Sequence, residues 1–134
     1  MRFMVIVKGN KDSEAGVLPG PKLLSEMGKF NEELIKAGVL LAADGLQASS
    51  KGARVRFAGD ERSVTPGPFT EPEKLISGFW ILRVNSLDEA IAWAKRVPFE
   101  QGEIEIRQIF EAADFGPALA EQESVCAKLQ TTKQ

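Results

Sequence analysis

The chain has no histidine and a single cysteine, Cys126, so any acid–base chemistry in it falls to carboxylates. That zero excludes the Ser-His-Asp and Cys-His machines, HExxH metal sites and every histidine base. Asp44, Glu71 and Glu105 are the carboxylates beside segments expected to line a cleft. A carboxylate serves as a general base once burial disfavours its charge. Arg54, Arg56 and Arg107 are the matching cations, suited to holding an anionic ligand through bidentate hydrogen bonds. Trp80 could supply an aromatic wall. Gly16 and Gly20 fit neither the dinucleotide fingerprint nor the P-loop spacing. Glu71 with Glu73, and Glu103 with Glu105, are common surface pairs without metal-ligand spacing. No cofactor and no metal is expected, and Cys126 reads as a bystander in the tail.

These residues have to be held by one domain, because 134 residues is an ordinary domain length. At that size roughly 68% of the unfolded surface can be buried, enough for a core without staples. With 43% apolar and 27% charged residues, the composition is that of a globular chain and not a disordered one. A net charge of -2 argues against nucleic acid or an anionic membrane as the main partner. The apolar runs are too short to span a bilayer, and no signal-peptide layout is present, so a cytoplasmic protein is expected.

The run from Arg2 to Lys8 is short and apolar between charged ends, which predicts a buried strand. A loop of about a dozen residues follows. Leu23, Met27, Phe30 and Leu34 then recur at helical steps up to a glycine cap at Gly38. Val39 to Leu46 and the alternating Ala53 to Phe57 predict strands, with a short ribbon at Ser63 to Thr65. Pro66-Gly67-Pro68-Phe69 predicts a rigid turn. Gly78 to Val84 is the strongest strand, and Ser86 with Glu89 forms a capping box for a second helix. Gly102 to Phe110 alternates again, with Glu105 and Arg107 opposed to Ile104 and Ile106. Residues 1–115 read as the domain, and 116–134 as a tail, helical near 118–129 and frayed at its end.

The order strand, helix, strands, helix, strand is the ferredoxin-like, split βαβ pattern of an α+β fold with an antiparallel sheet. Both helices then cover one sheet face. Yet Phe3, Val5 and Val7 oppose Met4 and Ile6, and Phe79 and Ile81 oppose Trp80 and Leu82, so both faces are apolar. A second copy of the chain, sheet against sheet, is the simplest second cover, and an obligate homodimer is expected. If Val55 and Phe57 face the helices, then Arg54, Arg56, Glu105 and Arg107 all point into the space between the sheets.

Several pieces resemble the YCII-related proteins of the DGPF type. They are Met1-Arg2-Phe3-Met4-Val5-Ile6-Val7, Lys36-Ala37-Gly38-Val39-Leu40, Asp44-Gly45-Leu46, Val64-Thr65-Pro66-Gly67-Pro68-Phe69, Gly78-Phe79-Trp80 and Glu105-Ile106-Arg107. Their order and spacing carry the resemblance over residues 1 to 115. It implies a ferredoxin-like subunit in a dimeric α/β barrel. The sequence departs from the pattern where Pro66 replaces the aspartate before Gly-Pro-Phe, and only Glu71 is kept from the stretch after Phe69. The His-Asp pair used by some such proteins has no histidine here.

The expected function is binding of a small anionic or aromatic molecule in a cleft between sheet and partner subunit. Two alternatives stay open. One is an enzyme performing carboxylate-based proton transfer or elimination, and the other is a protein-interaction module associated with transcription regulation.

Overall fold

The computed structural model describes residues 1–116; the helix expected near 118–129 and Cys126 lie outside the described residues. Four strands form the main sheet: β1 (Arg2–Lys8), β2 (Leu40–Gly45), β5 (Ile76–Arg83) and β6 (Ile104–Gln108). Their order is β2-β5-β1-β6 with every neighbour antiparallel, the ferredoxin-like arrangement. Two longer helices, α2 (Pro21–Lys36) and α3 (Leu87–Ala94), make the crossovers, while α1 (Lys11–Glu14) and α4 (Ala112–Phe115) are single turns.

Local sequence accounts for the helix ends. Pro21 opens α2, where its missing N–H costs nothing, and Gly38 follows it with φ 71°, a conformation that side chains resist. At the start of α3 the Ser86 hydroxyl accepts from the Glu89 N–H at 3.2 Å, and Glu89 in turn accepts from the Asn85 N–H at 2.8 Å. The turn α1 sits in the segment read as plain loop. Asn10 and Ser13 cap each other there, with Ser13 N–H donating to Asn10 Oδ1 at 2.8 Å.

Phe3 and Val5 of β1, Trp80 and Leu82 of β5, and Ile104 and Ile106 of β6 meet Phe30, Leu34 and Ala90 from the helices. Phe30 packs edge-on against Trp80, with ring centroids 5.5 Å apart. This is the covered face of the sheet.

Two expectations need correcting. Among the described residues, strands β3 (Ala53–Ala58) and β4 (Glu61–Pro66) do not join the main sheet but pair with each other, as a separate ribbon. Val55 and Phe57 therefore do not face the helices; they are 51% and 69% exposed. Alternation announces two different strand faces without saying that anything covers either one. The second concerns Trp80, expected in the cleft wall. Its parity with Leu82 and Val5 turns it to the helices, where its indole N–H donates to Asn31 Oδ1 at 2.8 Å.

Candidate functional site

The other face of the main sheet carries neither α2 nor α3. Strand register lays its side chains out in rows. One row crosses all four strands as Asp44, Phe79, Ile6 and Glu105. The next is Ala42, Ile81, Met4 and Arg107. Ile6 is buried, while Met4, Phe79 and Ile81 are half-buried. The face thus has an apolar floor with Asp44 at one margin and the Glu105–Arg107 pair at the other.

Arg107 and Glu105 project to this face opposite Ile104 and Ile106, as alternation requires. Arg107 Nη1 donates to Glu105 Oε2 at 3.3 Å, and Lys8 Nζ lies 3.9 Å from Glu105 Oε1. The Arg107 side chain is 72% exposed. Arg107→Ala is accordingly expected to cost about 1 kcal/mol or less in chemical denaturation, as exposed ion pairs do. A loss near 3 kcal/mol would instead mark a pair buried against a second molecule.

The remaining predicted residues are dispersed. Asp44 shares a row with Glu105 but stands three strand spacings away, about 14 Å. Within one subunit the two cannot flank a single bond, for which paired carboxylates sit roughly 5–10 Å apart. Glu71 lies outside the sheet at the head of the 3-10 turn Pro72–Lys74, left-handed at φ 62° and paired with Lys74 at 3.0 Å. Arg54 and Arg56 ride on the ribbon. Arg54 covers the Phe69 ring at 3.8 Å, and Arg56 lines a shallow depression with Glu61, Arg62 and Ser63. Neither arginine belongs to the uncovered face.

Sequence reasoning passed over Glu14 and Ser49. The Ser49 hydroxyl donates to Glu14 Oε2 and accepts from the Phe69 N–H at 2.9 Å; the Ser49 N–H donates to Glu14 Oε1 at 2.9 Å. The expected rigid turn, in which the Gly67–Pro68 bond is cis, is held by this hub. Isolated in sequence, Glu14 and Ser49 gave no signal, because their partnership spans 35 positions. Among the described residues, no group of His, Cys, Asp or Glu could hold a metal ion.

Among the described residues, the carboxyls of Glu14 and Glu111 are held below their ordinary range. The Ser49 hydroxyl, then its N–H, favours ionised Glu14. For Glu111 the main cause is Arg2, whose Nε and Nη2 donate to its two oxygens at 2.8 and 3.2 Å. A carboxyl more acidic folded than unfolded stabilises the fold above its unfolded value, and that contribution drains away as pH falls through the folded value. Melting temperature is therefore expected to drop as pH falls below about 4. Glu14→Gln should flatten part of that drop in a thermal melt series, and an unchanged profile would show the hub to be electrostatically idle.

Fold and face together define an α+β subunit of ferredoxin-like topology with one sheet face that neither α2 nor α3 covers among the described residues. The chain belongs to the YCII-related family, whose domain model matches residues 1–113. It is similar to an uncharacterised protein of Rhizobium meliloti strain 1021, 27% identical over 74 residues, which is 55% of this chain. That match spans 60% of the relative's own length. A solved structure of 5-chloro-2-hydroxyhydroquinone dehydrochlorinase from Burkholderia phenoliruptrix, in complex with 2,5-dihydroxybenzoquinone, also matches. It is 13% identical with a TM-score of 0.44, over 87% of this chain and 100% of that one. Among the described residues, no helix is long and apolar enough to cross a membrane.

Proposed function

We propose that the protein works in the cytoplasm as a homodimer that holds a small anionic or aromatic molecule between its open sheet face and a partner copy. The observation that carries this reading is the apolar floor of Met4, Ile6, Phe79 and Ile81 on the face away from α2 and α3, framed by Glu105 and Arg107. Apolar sheet faces are favourably covered, and charges at their margins orient whatever enters.

Sedimentation at micromolar concentration is expected to give a dimer burying more than about 1,000 Å². Ile81→Arg, which sets a charge in the middle of the floor, should shift it to monomer. A folded wild-type monomer at that concentration would end the reading. Small carboxylates and phenols should raise the melting temperature of the dimer, since a ligand selective for the native state stabilises it by mass action.

One observation favours a second reading, a protein-interaction module. The ribbon exposes Val55, Phe57 and Val64, and Val55 and Val64 are direct cross-strand partners. A Phe57→Ser variant that stays dimeric and binds small molecules normally would assign the ribbon to some other contact.

A further inference from the structure

The open face is not uniform from end to end. Along β1 it presents Arg2, then Met4 and Ile6, then Lys8. Arg2 lies directly opposite Arg83 of β5. Like charges facing each other across a strand pair are unfavourable by themselves. Arg107 stands opposite Met4 on β6, diagonal to Arg2. Arg2, Arg83 and Arg107 thus occupy neighbouring strand positions at one end of the floor, beside Met4 and Ile81.

Glu111 takes Arg2 through two oxygens, and Glu105 meets Arg107 at 3.3 Å while also facing Lys8. Arg83 is exposed and meets no carboxylate among the described residues. The same positive field shows in Glu111, whose acidity is raised by Arg2 and, to a lesser degree, by the chain's amino terminus and Arg83. Arg54 and Arg56 lie on the ribbon, so recognition of an anion on this face falls to a different set of arginines.

We propose that Arg83 and Arg107 receive the carboxylate of a small aromatic acid whose ring lies on Met4 and Ile81. Guanidinium forks match a carboxylate in bidentate geometry. The thioether of Met4 and the branched Ile81 offer an aryl ring an apolar, adaptable bed. The inference rests on the reading of the open face as a ligand face, and names the class of ligand and its direction on that face.

Calorimetry on the full chain with benzoate, acetate and benzyl alcohol tests it. Benzoate should bind tightest, because only it engages both floor and arginines. Arg83→Ala should weaken benzoate about tenfold or more and leave benzyl alcohol unchanged, while Arg83→Lys should recover part of the loss. The Met4 methyl resonance should move on adding benzoate through the ring current above it. The proposal is overturned if benzoate binds Arg83→Ala as tightly as wild type, or binds without moving Met4. Benzyl alcohol binding as well as benzoate would also overturn it while leaving the ligand-face reading intact. Binding of none of the three would end both. If Arg83→Ala instead loses dimerisation with benzoate affinity unchanged, the arginines pair with the partner copy's carboxylates, and the anion role falls.

Discussion

Gly67→Ala is expected to destabilise the protein by about 3 kcal/mol, a large overpacking effect for one methyl group. A Cβ at Gly67 would sit 1.8 Å from the Ser49 carbonyl oxygen and 2.6 Å from its carbonyl carbon, so backbone has to move. That backbone is committed on every side. Ser49 binds Glu14 through its hydroxyl and N–H, the same hydroxyl receives the Phe69 N–H, and the Gly67 N–H donates to the Gly52 oxygen at 3.0 Å. Displacing Ser49 therefore disturbs the first long loop, the ribbon's base and the turn together. At this chain length the loss corresponds to roughly 10 °C in melting temperature. Gly28→Ala is the control: its Cβ meets nothing within 4 Å in the middle of α2, and the change should stabilise by about 1 kcal/mol. Equal effects of the two substitutions would mean that the Ser49 hub does not constrain the fold.

Trp80→Ala is expected to cost about 4 kcal/mol, the usual range for removing a buried tryptophan. The residue is 4% exposed, packs edge-on against Phe30 and satisfies its indole N–H on Asn31. Trp80→Phe should keep the ring contact but strand the Asn31 oxygen, for a loss of about 1–2 kcal/mol. Because Trp80 lies under the sheet, Trp80→Phe should leave small-molecule binding on the opposite face unaltered. Urea denaturation alongside ligand titration separates the two roles. A stable Trp80→Ala protein with lost binding would restore this residue to the cleft wall.

Trp80 also marks where the sequence was legible and where it was not. The Gly78–Val84 strand and its alternation could be read directly, since short apolar runs bounded by turn residues signal buried strands. Which of Phe79 and Trp80 faced the helices could not, because both are large and aromatic. That choice depends on the register Val5 to Trp80 and on Asn31 arriving from α2. Glu105 and Arg107 were placeable, since Ile104 and Ile106 fix the parity of β6 against the core. Arg54 and Arg56 were misplaced for the complementary reason: Val55 and Phe57 look like core residues, and only the pairing of β3 with β4 shows that they stand on a ribbon apart from the main sheet, exposed among the described residues. Arg2 and Arg83 went unnoticed because their juxtaposition is a product of strand pairing across 81 positions, invisible to local spacing.

The solitary ribbon gives those misplaced arginines another employment. Among the described residues both of its strands are edge strands, the arrangement that invites strand addition from neighbouring molecules. Val55, Phe57 and Val64 would make such a seam adhesive. Arg54 and Arg56 alternate with them along β3, and Arg62 lies over Phe57 at 4.6 Å. A second ribbon laid alongside in matching register would set these arginines against their counterparts, a repulsion that disfavours such strand addition.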